Sequence, residues 1–387
     1  QAAPKAGASS PVKVVGYYPD WKSYQPQKLQ MDVLTHIAYA FAIPTPDSRL
    51  LPLENPETAV RLIEDAHKNQ VKVLLAVGGW SYNGAELAPV FVSATTSEKT
   101  RQLGDEILAM CNEYGFDGVD MDWEHPRVDG PSKNQYQELI LYLADALHAQ
   151  GKLLTSAVVS GVSADGNIYY DAAAHSDAVL NAVDWIHVMA YDGGDGERHS
   201  SYDFAVNSAA YWCGTRKMPA GKEVLGVPFY GRPGWAGYGD ILAADPDAGN
   251  KDHAMVSGMD VWYNGISTIE KKAAYARDNL GGIMIWELTQ DTDDSGQSLL
   301  MTHRMDGHGD ILSLDPPHLF SHLSQRIVRT FFLQALFIPA VQSAYCLFGP
   351  LHPYPEFLPH KIHCLQYGCV GIPFTASGPP CFGNSPK

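Results

Sequence analysis

Short apolar runs alternate with longer amphipathic stretches along most of the chain. Eight runs read as buried strands: residues 12–18, 33–41, 71–77, 115–123, 153–159, 185–191, 223–229 and 282–286. Most are nearly continuous in aliphatic and aromatic residues, the pattern of strands covered on both faces. Between them, apolar residues recur at helical spacing over 56–68, 97–114, 133–149 and 267–279. Buried strands separated by helices predict a parallel sheet. The expected fold class is α/β, a (β/α)8 TIM barrel with a non-barrel C-terminal tail. An open doubly wound sheet competes, but no GxGxxG follows the first run. The polar residues favour the barrel too. Trp21, Gly79-Trp80, Glu124, Asp192, Arg232 and Glu287 fall at or just past predicted strand ends, and a barrel turns all such positions onto one rim.

The chain divides into a linker at 1–11, a barrel at 12–314 and a tail at 315–387. Within the barrel, residues 232–281 are expected to hold one helix and a Gly/Asp-rich loop over 238–252. That is too little for an inserted domain, so one wall of the mouth should be low. The tail changes character: residues 316–387 carry one acidic residue, Glu356, and four basic ones, against 42 and 23 in the part before them. It reads as a small disulfide-stapled accessory module, as a poorly ordered tail, or as translated sequence not selected to fold. Four of the six cysteines, Cys346, Cys364, Cys369 and Cys381, lie there and allow three pairings. Cys111 and Cys213 read as buried thiols. Polar residues interrupt the apolar run at 331–348, so no membrane span is expected. The opening residues are small and polar, as in the stub left by a removed secretion signal. Secretion is therefore expected.

A formal net charge of −16 excludes a surface built to neutralise phosphates, so no nucleic acid partner is expected. The most unusual acids are Asp117, Asp120, Asp122 and Glu124, within the run 116–124. Phe116, Val119, Met121 and Trp123 interleave with them as in a buried strand. Alternation puts Asp120, Asp122 and Glu124 on one face, roughly 6.6 Å apart along the strand. Carboxylates buried together are costly unless they share protons or hydrogen bonds. The spacing therefore describes a proton relay ending in an acid at Glu124. Asp117 has the opposite parity and reads as a structural anchor. The histidines, His187 and His199 included, show no metal-ligand spacing, and neither metal nor cofactor is called for.

At this point the match becomes specific. The run Asp117-x-x-Asp120-x-Asp122-x-Glu124 resembles the DxxDxDxE signature of glycoside hydrolase family 18 chitinases. Gly78-Gly79-Trp80, Met189-Ala190-Tyr191-Asp192, Tyr230-Gly231-Arg232 and Trp286 reinforce it, in order along residues 12–314. The resemblance implies a retaining, substrate-assisted chitinase acting on chitin or chitooligosaccharides, monomeric and without cofactor. It implies Glu124 as acid/base, Asp122 as partner of the sugar's acetamido N–H, Asp120 sharing a proton with Asp122, and Tyr191 orienting the acetamido oxygen. The pKa of Glu124 should be raised by partial burial and by Asp122. Tyr17, Phe41, Trp80, Met189, Asp192, Tyr230, Arg232 and Trp286 would contact sugar. Gly78, Gly79 and Asp117 would be structural. The short 232–281 connection favours internal cuts. Two alternatives remain open: a chitin-binding lectin on an inactive barrel, and an endo-β-N-acetylglucosaminidase acting on N-glycans. The chain departs from the family pattern at Ala76, usually Ser, which leaves the resting proton position between Asp120 and Asp122 open. It departs again at His125, usually Tyr, which either alters the surroundings of the acid or simply faces the loop.

Overall fold

The computed structural model describes residues 12–303. Eight parallel strands close into a barrel: β1 (Lys13–Pro19), β2 (His36–Ala42), β3 (Lys72–Gly79), β4 (Gly118–Trp123), β5 (Leu153–Val159), β6 (Trp185–Met189), β7 (Glu223–Pro228) and β8 (Gly282–Trp286). Each strand pairs with the next in sequence, and β8 closes on β1 through Lys13↔Gly282 to Gly16↔Ile285. This is the TIM barrel expected from the apolar runs. The linker, the tail and its four cysteines lie outside the described residues. Among the described residues, no helix is long and apolar enough to cross a membrane.

Period-2 alternation sorts each strand into two layers. Val15, Tyr17, Ala38, Ala40, Leu74, Ala76, Trp185, Val224 and Met284 fill the barrel interior. Residues of opposite parity, such as Val119, Met121 and Trp123 on β4, pack outward in the larger layer shared with the helices. The helix Pro56–Lys68 buries Ala59, Leu62, Ile63 and Ala66, one stripe at i, i+3, i+4 and i+7. Burying a Leu or Ile side chain stabilises by about 1.5–3 kcal/mol, so this stripe, and not helix propensity, holds the helix to the sheet. Cys111 is buried in that layer and Cys213 is half-buried, both as free thiols.

Three of the boundaries that moved did so for a local reason. Gly115 does not begin β4; it ends the helix Lys99–Tyr114 in the left-handed conformation, at φ 79°. β2 starts at His36 because residues 31–33 form a turn. β6 stops at Met189 because the chain turns sharply, reaching φ 57° at Asp192. The 232–281 connection is also more structured than expected. Tyr238–Ala244 is a helix, and His253–Val256 pairs antiparallel with Met259–Trp262 ahead of the helix Ile266–Asn279. Ser257 and Gly258, at φ 50° and 82°, make the tight turn of that hairpin. The Ser-Gly pair was the available signal.

Candidate functional site

A cleft of about 800 Å³ opens at the C-terminal ends of the strands. Its lining includes Tyr17, Phe41, Trp80, Asp122, Glu124, Met189, Tyr191, Asp192, Tyr230, Arg232 and Trp286. Sequence reasoning had singled out every one of these. Glu287 behaves differently from the rim position expected of it. It turns back as a cap, accepting from the Thr289 amide at 2.6 Å and from the Thr289 hydroxyl. Trp21 stands at the rim, stacked on Phe41 at 6.3 Å.

The acidic run forms a ladder along β4. Asp120 is completely buried inside the barrel and receives three donors. The Tyr17 hydroxyl donates to one oxygen, the Thr155 hydroxyl to the other at 2.6 Å, and His187 Nδ1 lies 3.1 Å from that second oxygen. Trp185 Nε1 donates to His187 Nε2 at 2.8 Å. An indole N–H can only donate, so Nε2 is the acceptor and Nδ1 carries the proton toward Asp120. Burial works against a charge on Asp120, yet His187, Thr155 and Tyr17 outweigh it and hold the carboxyl below the usual aspartate range. The hydroxyl expected at position 76 is absent, and Ala76 faces Asp120 in the β3–β4 register. Thr155 and His187 were missed as members of the site. Thr155 pairs with Asp120 across β4 and β5, a register that strand parity by itself does not give.

Asp122 is buried too, at the floor of the cleft. Its Oδ1 has no hydrogen-bond partner among the described residues. Burial, then the charges of Glu124 and Asp120, push its pKa well above the ordinary value. The two directions favour the charge on Asp120 and the shared proton on Asp122. Glu124 is 17% exposed on its side chain, and its carboxyl is raised to about 7. Burial is the largest cause and Asp192 adds its charge, while Asp122 and Glu124 also act on each other as expected from the sequence. Asp117 faces away: it accepts from the Val73 amide at 2.7 Å and meets His67 at 2.8 Å, joining β3 to β4.

On the opposite wall, Tyr191 keeps its phenolic proton, because burial and the charges of Asp122, Glu124 and Asp192 raise its pKa well above 10.0. Asp192 is gripped from several sides. Tyr230 donates to it at 2.8 Å, Arg232 Nη1 lies at 3.2 Å and His199 Nδ1 at 3.3 Å. Burial opposes its charge, but His199, Tyr230 and Arg232 hold its pKa low. Arg232 also binds Asp195 at 2.9 Å and lies 4.1 Å over the Trp235 ring. Aromatic rings pave the inner edge. Trp286 packs on Phe41 at 5.7 Å and on Tyr17 at 5.4 Å. Gly78 and Gly79 permit the close approach of β3, at φ 116° and 90°. A Cβ on Gly78 would strike the Asp122 backbone, and one on Gly79 would strike the Phe41 ring. The site contains Trp235, Tyr169 and Tyr170 as well, and none of these carried a sequence motif.

A closed parallel barrel with a carboxylic ladder rising into an aromatic cleft at its C-terminal rim defines the class of TIM-barrel proteins whose site is built from strand ends. The chain belongs to glycosyl hydrolases family 18, whose model matches residues 13–291. It is 24% identical to chitinase A1 of Niallia circulans, over 76% of this chain and 59% of that protein. It is 26% identical to chitotriosidase-1 of Mus musculus, over 74% of each. Among solved structures, the GH18 chitinase ChiB of Flavobacterium johnsoniae matches with TM-score 0.63 and 27% identity, covering 75% of this chain and 91% of that one. The chain thus spans less than two thirds of the length of the bacterial chitinase A1.

Proposed function

We propose that the protein hydrolyses the β-1,4 links of chitin or chitooligosaccharides with retention, using the substrate's own acetamido group as nucleophile and Glu124 as acid/base. The observation that carries this reading is that Glu124, Asp122 and Tyr191 line one cleft and an Asp122 oxygen has no partner among the described residues; burial raises the Glu124 carboxyl to about 7. An acid near neutrality holds its proton until the glycosidic oxygen takes it. Family 18 is a known exception to the scheme of two catalytic carboxylates, and one proton donor suffices here.

The steps follow from the residues. Glu124 protonates the departing oxygen. The acetamido carbonyl oxygen attacks C1, and the Tyr191 hydroxyl holds that oxygen in place. Asp122 binds the amide N–H. As positive charge develops on the amide, the Asp122 proton moves toward Asp120, and the ladder supplies negative charge where it is needed. Glu124, now ionised, takes a proton from water, which opens the oxazolinium ring with overall retention. Trp286, Phe41 and Tyr17 give the sugar an apolar floor, Met189 packs under the acetamido methyl, and Asp192, Tyr230 and Arg232 take polar groups. Trp80 lines the leaving-group side. The catalytic unit runs from about residue 12 to 314 and acts as a secreted monomer. The cleft, bordered by a hairpin instead of an inserted domain, suits internal cuts.

Two assays test this together. Glu124→Gln is expected to lower kcat by about 10²-fold or more while chitooligosaccharide affinity survives. Hydrolysis of an N-acetylglucosamine hexamer is expected to release β-anomers, internally cut. Wild-type turnover in Glu124→Gln, or release of α-anomers, would refute the mechanism. A binding-only role would leave both the wild type and the variant inert with equal affinity.

A further inference from the structure

His125 follows the acid directly, at a position where the family pattern has tyrosine. Its Nε2 lies 3.6 Å from Glu124 Oε2. Its ring borders the cleft, 6.5 Å from that of Trp80. Its Nδ1 is buried and has no hydrogen-bond partner among the described residues. We propose that His125 is a positioning residue that receives Glu124 in its ionised state, its Nε2–H holding the carboxylate that has just given up its proton. The inference rests on the role of Glu124 proposed above.

The two ring nitrogens of His125 have different surroundings. Burial, then the charge of Arg127, lowers the pKa of His125 to about 4, with Asp171 acting the other way. The ring is therefore neutral near pH 7 and carries one N–H and one lone pair. A proton on Nδ1 would be a buried donor without an acceptor, and it would aim the Nε2 lone pair at Glu124. The first is unfavourable throughout, and the second becomes so once Glu124 is charged, the state that His125 receives. The proton belongs on Nε2.

At 3.6 Å the protonated acid is not bonded to it. An ionised carboxylate attracts the N–H and closes the gap to the length of a charge-assisted bond, about 2.7–2.9 Å. The interaction is thus stronger after proton transfer than before it, which is the condition for helping the step. The other groups facing the acid are Asp122 on the same strand and Tyr191 and Asp192 beyond β6. Around His125 stand Arg127 on its own loop, Asp171 and His175. Asp192 opposes a charge on Glu124, and His125 offsets that opposition.

The test compares the full chain carrying His125→Phe, His125→Gln or Glu124→Gln on a 4-methylumbelliferyl chitooligosaccharide. His125→Phe is expected to lower kcat about tenfold. It should also move the alkaline limb of kcat/KM upward by about half a unit or more, because the ionised acid has lost a donor. Its Tm should hold or rise, since an unpaired buried nitrogen is gone. His125→Gln keeps an N–H and should restore both limb and kcat. If His125→Phe fails to fold, His125→Leu replaces it. A Phe or Leu variant whose kcat and limb superimpose on the wild type overturns the inference, and so does a Gln variant that folds but shifts as Phe does. An active Glu124→Gln overturns the underlying mechanism instead.

Discussion

Trp185 fixes the tautomer of His187, its indole N–H donating to Nε2 at 2.8 Å from two residues back on the same strand. The consequence reaches the ladder, because the proton left on Nδ1 is the third donor to Asp120. His187→Leu is expected to raise the proton affinity of Asp120 and let it compete with Asp122 for the mobile proton. We expect kcat to fall by about tenfold or more, with KM little changed. Steady-state kinetics on a soluble oligosaccharide checks this; a normal kcat in a folded His187→Leu protein would contradict it.

Asp192 contributes to the raised pKa of Glu124, second to burial. Replacing its charge favours the ionised acid, so the Glu124 pKa should fall from about 7 toward the ordinary value. Activity requires the protonated acid, so the alkaline limb of kcat/KM in Asp192→Asn should move to lower pH. Burial persists in the variant, and the limb should stop above the range of an exposed glutamate. A pH–rate profile decides, and an unmoved or raised limb counts against the assignment.

Lys272 is completely buried, and its Nζ donates to the Ser200 carbonyl, the Ser200 hydroxyl and Asn264 Oδ1 at 2.7–2.8 Å. Ser200 in turn donates to the Ala190 carbonyl, next to Tyr191. Lys272→Met takes a donor from three buried acceptors, of which the Ser200 carbonyl keeps another in the Asn264 amide, and should destabilise by about 2–4 kcal/mol, read from denaturant unfolding. Burial lowers this lysine to about 7 from its ordinary 10.5. Between those values the unfolded chain binds more protons than the folded one, so the lysine's contribution to stability rises with pH. The wild type should therefore gain on the variant between pH 7 and 10; a constant gap would show that Lys272 keeps its charge in the fold.

A chain ended at Leu314 keeps every residue of the ladder, the cleft and the closing strand. It is expected to retain kcat on soluble oligosaccharides within about threefold. Loss of activity in a soluble, folded truncation would show that residues beyond 314 take part in the site.

The architecture was largely readable because its signals are redundant. Each barrel strand is an apolar run flanked by a helix, and the ladder combines a spacing with an unusual chemistry. What escaped detection depends on neighbours far along the chain. Thr155 and His187 enter the site only through the pairing of β4 with β5 and through the barrel's shared interior. The influence of Asp192 on Glu124 was missed for the same reason: Asp122 is two residues away in sequence, but Asp192 arrives across the cleft from β6. Glu287 looked like a rim acid until the turn after β8 folded it back onto Thr289. The hairpin at 253–262 was overlooked because its strands are short and half exposed, although its Ser-Gly turn was in plain sight.

The closure of β8 onto β1 also governs how the molecule is made. The edge of Lys13–Pro19 stays open on one side until Gly282–Trp286 has been synthesised. At roughly 5–20 residues per second, that wait is some tens of seconds. Throughout it, an unmated apolar edge is available to any passing strand. The nascent polypeptide is thus most vulnerable to aggregation before its last barrel segment emerges, and shielding of that edge by a chaperone should raise the yield of folded protein.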